Sequence, residues 1–283
     1  MTSTLAIGAS IILIAILAAT LYRQWQRGRA LQGQLQAAAR DLEHLQNACA
    51  RLAPAGVVQS LVADGRQLDA GPTAERKVAT ALFVDLVGFT AMSEQLTPEI
   101  LLRIINGYYQ RVSEALDEHR GHVGSFVGDG IVAYFGAILP NPWQSDDAVH
   151  AALAMRASIR AYNVELASEG LPPIAIGIGI DRGPGLAGLL GSQARREYSF
   201  IGRPVNLAAR LQALTRLHGV DILVSEELRA GLDPDFIVSP MPAAAVKGFA
   251  EPVVTYAVEG RATRAETAAG ATASARPNRG VSA

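Results

Sequence analysis

The chain has 283 residues, a formal net charge of −1 and 49% hydrophobic residues, enough for one or two globular domains with accessory segments. The near-neutral balance gives no reason to expect a nucleic-acid partner. A lone cysteine, Cys49, excludes a disulfide framework and a multi-cysteine metal site; it reads as a small apolar residue in a reducing compartment.

The first charge in the chain is Arg23, and before it Leu5 to Tyr22 is an uncharged, mostly apolar run. Such a run is long enough to cross a hydrocarbon core of about 30 Å as a helix. A signal peptide would carry Lys or Arg ahead of the apolar stretch, and a buried core helix would show a polar face; neither feature is present. Residues 1–22 are therefore expected to be a transmembrane anchor, and Arg23, Arg27 and Arg29 to hold the remainder in the cytoplasm. Over residues 23–53, Leu31, Leu35, Ala38, Leu42, Leu45, Cys49 and Leu52 alternate at spacings of four and three, the a/d seam of a two-stranded coiled coil. A helix packing on its own domain is the other reading. Pro54 ends the helix, and residues 54–74 read as a linker.

VATALFVDL (78–86) is expected to be a buried strand. Thr97 and Pro98 open a helix as N-cap and first helical residue. HVGSFV and IVAYFG flank Gly128-Asp129-Gly130, a strong hairpin signal. A helix over 145–169, strands at 174–180 and 197–202, a helix from Pro204 to Leu217, and strands at 221–225 and 253–258 complete the expected domain, 75–260. The order is βαββαβ, so the fold class is α+β with a ferredoxin-like core and additions. Residues 261–283 lack apolar periodicity and are expected to be disordered.

Two carboxylates carry the chemistry. Asp85 ends an apolar strand, where an acid is costly to bury without a partner. Asp129 sits at the hairpin tip, where a simple turn residue is the competing reading. In a ferredoxin-like sheet these two elements are neighbours, and paired carboxylates suit oxygen-liking divalent cations such as Mg²⁺. In RPVNLAARLQAL, Asn206 and Arg210 share one helical face and suit a sugar and a phosphate; a solvated polar stripe stays open. Lys247, in VKGFAEP, is a weaker phosphate candidate. Gly183, Gly185 and Gly188 satisfy G-x-G-x-x-G, but Pro184 interrupts them and no helix follows. They are expected to form a tight turn.

ERKVATALFVDLVGFT, GHVGSFVGDGIVAYFG, GIDRGPGLAGLLGS, RREYSFIGRPVNLAARL and VKGFAEPV, in that order, resemble the catalytic domain of class III adenylate and guanylate cyclases over residues 75–259. The resemblance implies that Asp85 and Asp129 bind two Mg²⁺ or Mn²⁺ ions. It further implies that Asn206 orients the ribose, Arg210 stabilises the α-phosphate and Lys247 holds the terminal phosphates of ATP. It implies a homodimer whose sites each take the aspartates from one chain and Asn206, Arg210 and Lys247 from the other. With the N-terminal span, the expected location is a bacterial inner membrane, single-pass, with the catalytic domain in the cytoplasm. The chain departs from the pattern at one base-reading position, Ser125, where ATP users carry lysine and GTP users glutamate; the second such position is Ser199. The expected activity is adenylate cyclase. Guanylate or relaxed purine specificity, and a low-turnover nucleotide-binding scaffold, are the alternatives.

Overall fold

The structure, a computed structural model, describes residues 74–192 and 196–262, and Arg40 alone before them. The expected transmembrane anchor, the coiled-coil segment with Cys49, the linker up to residue 73 and the tail beyond 262 lie outside the described residues. Among the described residues no helix is long and apolar enough to cross a membrane.

The elements run β1 (Ala74–Leu86), α1 (Phe89–Gln95), α2 (Pro98–Glu118), β2 (His122–Val127), β3 (Gly130–Phe135), α3 (Gln144–Ser168), β4 (Ile176–Gly191), β5 (Arg196–Ile201), α4 (Arg203–His218), β6 (Ile222–Ser225), α5 (Glu226–Ala230), β7 (Phe236–Ala244) and β8 (Val253–Arg261). They build one sheet of eight strands in the order β2-β3-β1-β4-β6-β8-β7, with β5 pairing onto β4. Strand β1 is antiparallel to both β3 and β4. The segment β2-β3-β1-β4, with α2 and α3 as crossovers, is therefore the expected βαββαβ ferredoxin-like core, and β6, β8 and β7 extend it.

Strand β1 is central and buries side chains on both faces, which is why it reads as a near-continuous apolar run. Leu82, Val84 and Leu86 join Ile104, Tyr108 and Leu116 of α2 and Met155 of α3 in the larger core. Ala79 and Ala81 face the other way, in a smaller cluster with Phe200 and with Ala208 of α4. Helix α2 begins as expected: the Thr97 side chain accepts from the Ile100 N–H, and Pro98 takes the first helical position. Its buried residues, Ile104, Tyr108, Val112, Ala115 and Leu116, follow helical spacing.

One expectation is corrected. Gly183, Gly185 and Gly188 do not turn the chain; all three lie within β4, which continues to Gly191. These glycines admit close neighbours instead. A Cβ on Gly185 would sit 2.5 Å from the Phe200 ring and 2.7 Å from the Ile201 carbonyl, so β5 could not lie where it does over a bulkier residue. The short helices α1 and α5 and the strand β7 were not anticipated. Strand β7 contains Pro240 and Pro242, which argue against a central strand; β7 is the last strand of the sheet, where proline is tolerated.

Candidate active site

Asp85 is the penultimate residue of β1, between buried Val84 and Leu86, and its side chain is only 22% exposed. The hairpin turns through Gly128, at φ 63°, a left-handed conformation that glycine adopts at no steric cost. Val127 then pairs with Gly130, leaving Asp129 at the tip. Because β3 lies beside β1, with Ile131 opposite Val84, the tip carries Asp129 to Asp85. The two carboxyl groups are close enough to act on each other, Asp129 favouring the protonated form of Asp85. The pairing expected from the sequence is therefore present.

Two residues that local sequence patterns did not single out support this pair. Arg216, near the end of α4, places Nη2 3.7 Å from Asp85 Oδ2 and donates to the Leu86 carbonyl at 3.0 Å. Tyr109 of α2 donates its hydroxyl to the Gly128 carbonyl at 2.5 Å and packs its ring against Phe126, 4.8 Å between centroids. Both reach the site from more than eighteen residues away in sequence, so only the tertiary fold reveals them.

Burial first, and then the hydrogen bond and negative charge of Asp129, push the Asp85 carboxyl up to about 7; Arg216 and the Leu86 backbone oppose the shift. Two like charges held together cannot both ionise cheaply, and a divalent cation would replace the proton. The donor set also fits Mg²⁺, which keeps several waters and takes only one or two carboxylates plus substrate phosphates. A pH dependence follows. In the metal-free chain the folded state keeps a proton that the unfolded state releases near 3.8. That stabilisation is complete below the unfolded value and is lost as pH rises through about 7. In chelator, wild-type denaturation midpoints should fall between pH 5 and pH 8, whereas Asp129→Asn, which removes the like charge, should fall less. Equal falls in both proteins would contradict this account of the pair.

Helix α4 packs Leu207, Ala208, Leu211 and Gln212 inward and leaves Asn206 and Arg210 exposed, so the shared polar face is present. It lies very close to β4: a Cβ on Gly179 would meet the Ala208 carbonyl at 2.1 Å. Lys247 is exposed on the turn between β7 and β8, held by buried Val246 and a bond from Phe249 N–H to the Val246 carbonyl; Gly248, at φ 93°, shapes it. Ser125 lies half-buried on β2, just past a register shift, and pairs with Val132. Ser199 lies on β5 opposite Gly188 and partly offsets the upward shift that burial imposes on the Tyr134 hydroxyl. A Cβ on Gly124, next to Ser125, would strike the Tyr134 ring. Among the described residues no hydrogen bond or ion pair joins Asn206, Arg210 or Lys247 to the carboxylate pair within one chain.

Residues 73–260 match the profile of the adenylate and guanylate cyclase catalytic domain. An adenylate cyclase of Anabaena cylindrica is 34% identical over 165 residues, covering 57% of this chain and 32% of its own length. Adenylate cyclase 1 of Rhizobium meliloti is 30% identical over 190 residues, covering 67% of this chain and 29% of its own. This chain thus spans about a third of these curated relatives. Among solved structures, the adenylyl cyclase CyaB from P. aeruginosa superposes with a TM-score of 0.63 at 31% identity, covering 68% of this chain and 98% of that one. The guanylyl cyclase Cya2 superposes equally well, with a TM-score of 0.63 at 30% identity over 68% of this chain and 96% of its own. The matched segment carries the paired aspartates and the exposed Asn206–Arg210 face, and the chain belongs to the class III adenylate and guanylate cyclase family.

Proposed function

We propose that the chain is an adenylate cyclase, converting ATP to 3′,5′-cyclic AMP and pyrophosphate at two equivalent sites shared by the subunits of a homodimer. One observation supports this reading: the Asp85–Asp129 pair and the exposed Asn206–Arg210 face are joined by no hydrogen bond or ion pair among the described residues of one chain, as expected if each supplies half of a nucleotide site. A two-fold dimer supplies each half to the other, twice.

The reaction forms a bond from the ribose 3′-oxygen to the α-phosphorus as the bond to the leaving pyrophosphate breaks. Asp85 and Asp129 would hold the metal ions through carboxylate oxygens. When bound, two Mg²⁺ or Mn²⁺ ions lower the pKa of the attacking hydroxyl and neutralise the phosphates. Asn206 positions the ribose, and the fixed fork of Arg210 meets charge growing on the α-phosphate oxygens. Lys247 meets the terminal phosphates as a point charge. All of these residues are present, which favours turnover over a nucleotide-binding scaffold. The assay that tests this reading is product formation from ATP and GTP by the full chain with Mg²⁺ and with Mn²⁺; no cyclic product from either nucleotide would overturn it.

Ser125 favours a second reading, relaxed purine specificity. A serine hydroxyl is shorter than a lysine side chain and uncharged, so it reaches the base through a water. Losing a charge-assisted hydrogen bond costs about 1.5–3 kcal/mol, roughly ten- to a hundredfold. Ser125→Lys should raise kcat/KM for ATP relative to GTP by about that factor. An unchanged or lower ratio would mean that other groups read the base.

The uncharged run from Leu5 to Tyr22 and the arginines after it support a single-pass anchor in a bacterial inner membrane, with the catalytic domain cytoplasmic. The heptad seam supports a short coiled coil that raises the effective concentration of paired domains. Release of the full chain from membranes by alkaline carbonate would contradict the anchor.

A further inference from the structure

Arg216, near the end of α4, is the cation that stands beside the carboxylate pair. Its Nη2 lies 3.7 Å from Asp85 Oδ2 and donates to the Leu86 carbonyl at 3.0 Å. The second contact matters for the first. A backbone carbonyl next in the chain to Asp85 ties the guanidinium to that end of β1, so the charge stays with the carboxylate. The side chain is 50% exposed, so it fills no core position, and an ion pair of this kind adds little to stability.

No other acid nearby claims this arginine. Arg216 also lines a cavity with Arg156, Arg160, Asp221 and Glu259. Both oxygens of Asp221 accept from Arg156, each at 2.6 Å, and Glu259 accepts from the Ser239 hydroxyl. Arg156 and Arg160 are like charges that disfavour a swing of Arg216 into the cavity. Among the described residues Asp85 is the one ion-pair partner of Arg216.

The charge count at the pair decides what it can hold. Asp85 and Asp129 supply two negative charges when ionised, and Arg216 offsets one of them. Among the described residues no third His, Cys, Asp or Glu joins them in a group able to hold a metal ion. A bare divalent cation therefore meets two acidic donors and a fixed positive charge that does not titrate. That charge repels it about twice as strongly as it would repel a proton in the same place. A cation already carried by a nucleoside triphosphate is different. The complex is negative overall, so the same guanidinium attracts it, and the phosphate oxygens complete the coordination.

We propose that Arg216 is a positioning residue that sets which form of the cation the carboxylate pair accepts, opposing the bare ion and favouring the ion bound to nucleotide phosphates. The inference rests on the cyclase reading, because it takes Asp85 and Asp129 as the cation's ligands. Its consequence is that cation and nucleotide load together, and free cation does not fill the pair beforehand.

The test is Mn²⁺ binding to the full chain, followed by electron paramagnetic resonance of the free ion under argon. The pH is held at about 8.5, above the range in which Asp85 takes a proton. Each protein is titrated with Mn²⁺ alone and with Mn²⁺ plus α,β-methylene-ATP, whose leaving-group bond cannot break. The wild-type chain should bind the nucleotide complex more tightly than the bare ion. Arg216→Gln removes the charge and keeps an N–H for the Leu86 carbonyl. It should tighten binding of bare Mn²⁺ about tenfold, the order expected for a unit charge a few ångströms from a divalent ion. Its binding of the nucleotide complex should be unchanged or weaker. Arg216→Lys, which keeps the charge, should bind bare Mn²⁺ as the wild type does. Arg216→Ala is a second neutral variant and decides the matter if Arg216→Gln fails to fold. A merely structural role would move both affinities in the same direction. Unchanged or weaker binding of bare Mn²⁺ in a folded neutral variant, or equal tightening of both forms, would overturn the proposal while leaving the cyclase reading in place. A wild-type chain that binds Mn²⁺ in neither form would overturn both.

Discussion

Asp85→Ala and Asp129→Ala should each cut cyclase activity at least about a thousandfold, the upper range for removing one preorganised electrostatic group, while leaving the domain folded. The size follows from what the pair does. Among the described residues Asp85 and Asp129 are the carboxylates that meet at the site, so on the proposed reading either substitution would remove half of the protein's anionic donors to the metal ions, and with them the lowering of the hydroxyl pKa and the neutralisation of the phosphates. The fold should survive for separate reasons. Asp129 occupies a turn whose geometry is set by Gly128 and Tyr109, and Asp85→Ala removes an acid that is already costly to ionise where it stands. Activity assays with ATP, alongside melting curves in chelator, check both halves of the statement. Wild-type-like turnover in either variant would remove the two-metal mechanism.

Much of this site was legible because its signals are local. The Gly128-Asp129-Gly130 turn, the Thr97-Pro98 helix start and the i, i+4 pairing of Asn206 with Arg210 each lie within a few residues of sequence, and the described structure has all three. An acid inside the apolar run of β1 could be flagged from burial cost alone, and its partner from strand adjacency in a βαββαβ sheet. The glycines of β4 misled because the same residue serves a turn and a close approach; only the position of Phe200 and Ile201 beside Gly185 distinguishes the two. Strand β7 was not among the expected elements; its Pro240 and Pro242 are tolerated because it is the last strand of the sheet. Arg216 had no local signal at all, since its contact with Asp85 and Leu86 depends on α4 lying across the sheet. The same limit applies to Asp181, which in sequence is one acid after a strand and in the fold is a buried carboxylate with an unpartnered oxygen.

The second large effect is recovery rather than loss. On the proposed reading, Asp85→Ala and Arg210→Ala would disable opposite halves of a shared site, so each homodimer should be inactive. A mixed dimer pairs the intact aspartates of the Arg210→Ala chain with the intact Asn206, Arg210 and Lys247 of the Asp85→Ala chain. Its other site carries both lesions. Random exchange of equal amounts makes about half of the dimers mixed, each with one working site out of two, so roughly a quarter of wild-type activity should return. The effects of the two substitutions are non-additive only if they fall on one functional unit built from two chains. Rate measurement on the exchanged mixture, with subunit exchange verified by differently tagged chains, therefore tests the central claim most directly. Activity near a quarter of wild type is the predicted result, and verified mixed dimers that remain as inactive as either parent would contradict it.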